Sequence, residues 1–476
     1  MLYINGKWES SEDNLEVTSP TTGQLLGTVA KGGENETKRA IEAAENAMPS
    51  WAKRTAIERH DYLNRVAEIL RSRTDEIAEV ITTEMGKPVQ ESKNEIALAI
   101  DYLEWFAEEG RRIYGETIPA SSPSKRLSVV RQPIGVVGAI TPWNFPIAMI
   151  TRKIAPALAA GCPVILKPAS STPLTAIEVV KACHDAGVPE GVVNLLHGSA
   201  SEITEALMDS PVVRKITFTG STEVGKQLVR QSADTMKKLS LELGGHAPFI
   251  VFEDADLEKT AEDLIASKFR NAGQTCVCTN RVYVHESIVK PFSEVFAEKM
   301  RELVVGDGRE SGVTIGPLIN GDAVNKVESQ VQDATEKGAK VLVGGKRLDD
   351  GQYEKGHFFE PTLLVNATDE MKISHEETFG PVAPIFSFKT EEEAIQRANH
   401  SEYGLASYIF TKDASRIVRV SEALDYGIIG INDPMPTVAQ APFGGMKESG
   451  IGREGGRQGI EDYLEYKFLS FQLDEQ

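Results

Sequence analysis

From Val136 onward the chain repeats one pattern: a short run of apolar residues with no polar alternation, a turn, then a stretch with apolar residues at three-to-four spacing. The segments are Val136 to Ile140, Ile147 to Ala160, Val164 to Leu166, Ala176 to Ala186, Val192 to Leu196, Ser201 to Met208, Lys215 to Phe218 and Val224 to Gln231. Strands that lack alternation are buried on both faces, so this pattern predicts a doubly wound parallel sheet covered by helices. Such sheets bind ligands beyond the carboxyl ends of their strands. The unusual residues fall there: Thr141-Pro142-Trp143-Asn144, Lys167-Pro168-Ala169-Ser170 and Thr219-Gly220-Ser221-Thr222. A second such set runs from Pro248-Phe249-Ile250-Val251 to about Ile431, including Lys340 to Val343, Pro381 to Phe388 and Ser407 to Thr411. The predicted class is therefore α/β, with two doubly wound parallel-sheet domains.

Ahead of the first sheet, Tyr3-Ile4-Asn5-Gly6-Lys7-Trp8 carries a two-residue hairpin signal, and a second hairpin is predicted around Thr22-Gly23. Helical spacing then covers Glu36 to Ala47, Ile57 to Met85 and Gln90 to Glu109, broken at Gly86-Lys87-Pro88 and stopped at Gly110. Lys125 to Gln132 alternates with β-forming residues and reads as an exposed arm, and the strand-like tail from Asp462 to Phe468 is expected to pair with it near residue 128. At 476 residues several domains are expected. A net charge of -19 argues against nucleic acid or an anionic membrane surface as partner, so any anion site must be local. With no basic segment leading into an apolar run at its start and no stretch of about 18 apolar residues, the chain is expected to be cytoplasmic. Four cysteines, at 162, 183, 276 and 278, are too few for a disulfide scaffold and offer no metal spacing.

Chemistry is concentrated in a few short stretches. Phe269-Arg270-Asn271-Ala272-Gly273-Gln274-Thr275-Cys276-Val277-Cys278 follows a helical stretch and precedes a strand. A nucleophilic cysteine must have its thiolate stabilised, which the turn amides before Cys276 would supply, as they would for an oxyanion; a buried, inert cysteine pair is the other reading. Asn144 suits either an oxyanion donor or the N-cap of a helix opening at Pro146. In Leu241-Glu242-Leu243-Gly244-Gly245 one carboxylate stands among apolar residues, where a raised pKa would fit a general base; a solvated strand-end Glu is the alternative. Lys167 ends a buried strand and either reaches ribose or phosphate or snorkels. Gly220-Ser221-Thr222-Glu223-Val224-Gly225-Lys226 matches a phosphate loop until Gln227, which lacks the hydroxyl that holds Mg²⁺. A helix N-terminus there still suits a pyrophosphate, although the GxGxxG fingerprint is absent.

Taken together these stretches resemble the aldehyde dehydrogenase superfamily over essentially the whole chain. The motifs are Pro142-Trp143-Asn144-Phe145-Pro146, Lys167-Pro168-Ala169, Phe218-Thr219-Gly220-Ser221, Glu242-Leu243-Gly244-Gly245, Gly273-Gln274-Thr275-Cys276, Glu377-Thr378-Phe379-Gly380-Pro381 and Pro442-Phe443-Gly444-Gly445. The resemblance implies Cys276 as nucleophile, Glu242 as the base that activates water, and Asn144 with the Cys276 amide as oxyanion hole. It places a nicotinamide cofactor against Thr141, Pro142, Trp143, Lys167, Ala169, Ser170, Gly220, Ser221, Leu243, Gly244, Glu377 and Phe379. Within the superfamily the chain is most similar to the succinate-semialdehyde dehydrogenases of bacteria, where Arg152 and Arg270 match positions that take the substrate's far carboxylate. Structural ion pairs are the other reading of those two arginines. Thr437 stands near the place of a third partner that is usually Ser, which leaves glutarate semialdehyde, lactaldehyde or a sulfonated aldehyde open beside succinate semialdehyde. In some members the second cysteine of the loop, here Cys278, forms a reversible disulfide with the nucleophile.

A small hydroxyl at Ser170, where many relatives that prefer NAD carry Glu, implies that NADP is accepted along with NAD. The implied division is a cofactor-binding domain of 1-118 and 137-244, a catalytic domain of 245-445, a return segment of 446-457, and an oligomerisation element of 119-136 and 458-476 that makes a homodimer or homotetramer. Two other classes compete on the residues alone: a Cys-Glu-Lys amidohydrolase built from Cys276, Glu242 and Lys167, and a phosphate-binding loop protein.

Overall fold

The computed structural model describes residues 1–474, so the last two positions of the tail segment 458-476 lie outside the described residues. Five apolar runs form the parallel centre of an eight-stranded sheet: β1 (Val136–Ile140), β2 (Val164–Lys167), β3 (Val193–Leu195), β4 (Val213–Thr219) and β5 (Lys238–Glu242). Their order is β3-β2-β1-β4-β5, and each neighbouring pair is parallel. The hairpin Leu2–Ile4 and Lys7–Glu9 extends the sheet antiparallel beyond β3, through the register Tyr3↔Leu195. Asn5 and Gly6 take the positive φ, 49° and 79°, that this tight turn needs. At the other edge Gly450–Ile451 pairs antiparallel with the end of β5.

Only four residues, 243 to 246, separate β5 from β6 (Ala247–Val251), an inner strand of a seven-stranded second sheet. With β7 (Thr279–His285), β8 (Thr362–Val365), β9 (Val382–Phe388), β10 (Ala406–Phe410) and β11 (Ile428–Ile431) it is parallel in the order β8-β9-β7-β6-β10-β11. Lys340–Val343 closes the β8 edge antiparallel, which its place in the alternating set did not reveal. Because the link is so short, Glu242, the last residue of β5, stands at the seam between the two sheets.

The helical stretch expected over Ile57 to Met85 is two helices, Ala56–Ser72 and Thr74–Met85, divided at Arg73. Arg73 holds Glu76 and Glu178 together, so the break serves a charge cluster and leaves no gap in the apolar spacing. Four helices position the site: α1 (Val89–Gly110), α2 (Pro146–Ala160), α3 (Thr222–Ser232) and α4 (Leu257–Phe269). The arm Lys125–Pro133 pairs antiparallel with Leu464–Gln472, placing Phe468 opposite Val129. Glu116–Ile118 joins the same small sheet, which therefore begins before residue 119, where the sequence placed its start. No helix among the described residues is long and apolar enough to cross a membrane.

Candidate active site

The cysteine loop is built from backbone conformations that L-residues rarely adopt. After α4, Asn271 and Ala272 sit at φ 53° and 54°, and Gly273 follows at 75°. A side chain at Gly273 would bring its Cβ to 2.2 Å from the Gly380 carbonyl oxygen, so only glycine fits. Gln274, fully buried, donates from Nε2 to the carbonyls of Asn271 and Pro317 at 3.1 and 3.2 Å and accepts from the Ile319 amide at 2.9 Å. These bonds offset the local strain and deliver Cys276, half-buried, to the floor of a crevice.

That crevice has a volume of about 320 Å³. It collects Pro142, Trp143 and Asn144 from the end of β1, Gly220 and Ser221 from the start of α3, Leu243 and Gly244 from the inter-sheet link, and Cys276, Glu377 and Phe379 from the second sheet. Thr219 and Thr378 from the quoted motifs, with Met149, Ile319, Asn320, Ala323 and Lys326, complete its wall, and the last five had no signal in the sequence. Phe379 holds φ 52° and meets Trp143 edge-on, with ring centroids 5.6 Å apart. Glu377 accepts from the Gly245 amide at 3.0 Å, and burial raises its pKa to about 7.

Asn144 is buried and is not a helix N-cap. The first amides of α2, those of Ile147 and Ala148, are capped by Glu95 Oε1 of α1 at 2.9 and 3.2 Å. This leaves the Asn144 side chain in the crevice wall, where its Nδ2 donates to the Gln274 carbonyl at 3.0 Å. Glu242 is 1 % exposed and its Oε2 has no partner among the described residues. Burial, followed by repulsion from Glu454, holds its carboxyl well above the usual range, with Arg152 and Lys153 opposing. The solvated strand-end alternative does not apply.

Cys276 corrects one expectation. Burial pushes its thiol up to about 12, and the nearby Arg152 only moderates the effect, so the loop alone does not hold a thiolate near neutrality. The thiol must lose its proton to a base as it reacts. Cys278 is fully buried, donates to the Gly273 carbonyl at 3.1 Å, and sits 3.7 Å from the ammonium of Lys268. It packs under the loop as a small residue, and all four cysteines are free.

Arg152 already has a charged neighbour. On the wholly buried α2 it is 1 % exposed, with Nε 2.5 Å from Glu454 Oε2 and its guanidinium 4.1 Å from the Phe443 ring centre. Lys153 engages the other Glu454 oxygen. The charge of Arg152 is thus paired with that of Glu454, while its field also reaches Cys276. Sequence reasoning passed over Lys153 and Glu454, although two adjacent cations on a helix apolar all round are a signal that something anionic lies inside. Arg270 is half-exposed, its guanidinium lies 5.2 Å from the Phe145 ring, and its Nε has no partner among the described residues. Thr437 is half-exposed in the loop ahead of Pro442.

Thr141, 3 % exposed, has a hydroxyl without a partner among the described residues. Lys167 is buried, donates to the Pro168 carbonyl at 3.1 Å, and lies outside the crevice lining, as do half-buried Ala169 and exposed Ser170. An amidohydrolase needs Lys167 beside Cys276, an arrangement this lining does not provide. The phosphate-loop reading fails as well, because the ammonium of Lys226 is held by Glu448 at 2.5 Å. Ser221 caps α3 through the Val224 amide.

A family model described as the aldehyde dehydrogenase family matches residues 8–469. A glutarate-semialdehyde dehydrogenase of Pseudomonas putida is 54 % identical over 469 residues, covering 98 % of this chain and 96 % of its own. The NADP⁺-dependent succinate-semialdehyde dehydrogenase of Escherichia coli is 52 % identical over 472 residues, covering 99 % and 97 %. The crystal structure of an E. coli NADP-dependent enzyme superposes with a TM-score of 0.97 at 52 % identity, over 99 % of this chain and 98 % of that one.

Proposed function

The chain belongs to the aldehyde dehydrogenase family, and from that premise we propose that this NAD(P)-dependent enzyme oxidises a small aldehyde with an anionic tail, succinate semialdehyde first and glutarate semialdehyde second. The observation that carries the reading is Cys276 in the crevice lining together with Asn144, with Glu242, whose Oε2 has no partner among the described residues, immediately before Leu243 of that lining. Relatives at 52 and 54 % identity named for the two semialdehydes support the substrate class.

The crevice suits a nicotinamide dinucleotide. Gly220 and Gly244 stand in its wall where a Cβ would crowd neighbouring side chains, the Phe218 ring at 2.3 Å and the Tyr403 ring at 3.0 Å. Ser221 and the free amides opening α3 would take the pyrophosphate, Glu377 and Lys167 the riboses, and Trp143 and Phe379 the flanks. In the proposed reaction Cys276 adds to the aldehyde carbon, while the Asn144 amide and the Cys276 N–H hold the developing oxyanion. A bound nicotinamide dinucleotide would supply the hydride acceptor that oxidation of this adduct to a thioester requires. Glu242 then takes a proton from water, and the hydroxide releases the carboxylic acid. In this reading Arg270 and Thr437 would receive the substrate's distal anion, with the unpartnered Nε of Arg270 in support.

By the same reading, the two sheets are the cofactor-binding and catalytic domains, the small sheet of arm and tail is the oligomerisation element of a homodimer or homotetramer, and the enzyme works in the cytoplasm. Exposed Tyr466, Phe468 and Phe471 on the tail support an interface there. Following reduced-nicotinamide absorbance with each aldehyde and either cofactor tests the proposal. Faster turnover of uncharged aldehydes than of both semialdehydes would refute it.

A further inference from the structure

Lys87 lies in the Gly86-Lys87-Pro88 turn between Thr74–Met85 and α1, far in sequence from every residue of the crevice. Its side chain is fully buried, as is that of Glu95, and its ammonium donates to Glu95 Oε2 at 2.6 Å. The same ammonium donates to the backbone carbonyl of Asn144 at 2.7 Å and stands 3.9 Å from the Phe145 ring centre. The turn itself is pinned by the segment that also holds the cysteine loop. The Val89 amide donates to the Gly308 carbonyl at 3.0 Å, and a Cβ at Gly316 would lie 2.1 Å from the Gly86 oxygen.

A buried ion pair is weak evidence for stability, since apolar residues of similar volume often serve the core as well or better. What Lys87 and Glu95 do that apolar residues cannot is grip both sides of Asn144. Glu95 Oε1 takes the Ile147 and Ala148 amides after it, and Lys87 takes its own carbonyl. Asn144 falls between β1 and α2, so neither a sheet ladder nor a helical bond fixes its peptide plane. The second donor on that carbonyl is Asn271 Nδ2 at 2.9 Å, whose amide N–H is held by Glu91 Oε2 at 2.8 Å, one turn before Glu95 on α1.

We propose that Lys87, held by Glu95, is a positioning residue that fixes the Asn144 peptide and so aims the Asn144 side-chain amide at the oxyanion. The inference rests on the role given to Asn144 above. An oxyanion donor works only when held within a fraction of an ångström of the developing charge, so freeing this peptide lowers turnover more than affinity.

A double-mutant cycle tests it, using wild type, Lys87→Met, Asn144→Ala and the double variant, with kcat and KM measured on succinate semialdehyde under saturating cofactor. Lys87→Met is expected to lower kcat about tenfold or more with KM within about threefold, and Asn144→Ala on the order of 10²-fold. The double variant is expected within about twofold of Asn144→Ala alone, because a residue acting through Asn144 has nothing left to position. Losses that multiply would mean that Lys87 supports the fold only and would overturn the inference. Should Lys87→Met fail to fold, Asn271→Ala, which removes the other donor on the same carbonyl, replaces it in the cycle with the same expected non-additivity. An active wild type with Asn144→Ala at full kcat would overturn the oxyanion assignment and this inference with it, whereas a wild type inert toward aldehydes would overturn the function itself.

Discussion

The guanidinium of Arg152 is closed on Glu454, Nε to Oε2 at 2.5 Å, inside a helix that is buried throughout. A purely structural role for that charge has a measurable consequence. Arg152→Leu leaves Glu454 with Lys153 and the Thr217 hydroxyl, so unfolding free energy is expected to fall by about 2 kcal/mol, less than the roughly 3–5 kcal/mol of a fully orphaned charge. Urea unfolding checks this. An equally stable variant with a raised KM for semialdehydes would return Arg152 to the substrate site.

Arg270, proposed above to meet the substrate's anion, has a buried Nε with no partner among the described residues. Arg270→Leu is expected to raise KM for succinate semialdehyde by about tenfold or more, the usual worth of a hydrogen bond to a charged group, while butanal changes by less than about threefold. Equal losses on both aldehydes would show a role in holding the loop and not in choosing the tail.

Much of this arrangement was legible in the residue pattern. The central strands of both sheets read as unbroken apolar runs because a parallel sheet buries both faces, and the cysteine loop, Glu242 and Asn144 were marked by residue types out of place at strand ends. What stayed hidden depends on contacts across long sequence gaps. Neither the cap that Glu95 places on α2 from 52 residues away nor the pairing of Arg152 with Glu454 leaves a local trace. Burial decides the Cys276 thiol in the same way, since turn amides promise a thiolate only where the surrounding medium is polar.

Cys278 is buried beneath the loop while Cys276 lines the crevice. Cys276→Ala is expected to abolish reduction of the cofactor by aldehyde, whereas Cys278→Ala, which opens space for one sulfur atom in the loop base, keeps most of it. The reverse result in a steady-state assay would reassign the nucleophile.

Ser170 is exposed just beyond the carboxyl end of β2 and carries no charge. NADP is therefore expected to support kcat/KM at least comparable to NAD, and a preference for NAD above about 100-fold, roughly 2.7 kcal/mol, would contradict it. If Ser170 faces the 2′-phosphate as proposed, Ser170→Glu sets a carboxylate against it and is expected to lower NADP binding, measured by calorimetry, far more than NAD binding.

Glu242 sets the pH dependence. Only its carboxylate can take a proton from water, and burial with repulsion from Glu454 keeps it protonated well above the usual carboxylate range. Because the pKa is raised, the active form is the minor one at low pH, so thioester hydrolysis is expected to quicken about tenfold per pH unit until the pKa is passed, then level off. Glu242→Gln removes the base without removing the nucleophile. Its steady-state kcat is expected to fall by about 10²-fold or more and to lose this slope, while stopped-flow mixing still shows one equivalent of reduced cofactor per active site as the acyl-enzyme accumulates. A burst lost together with turnover would place Glu242 in the first half of the reaction, as the base that takes the Cys276 proton, a task the raised thiol pKa leaves open.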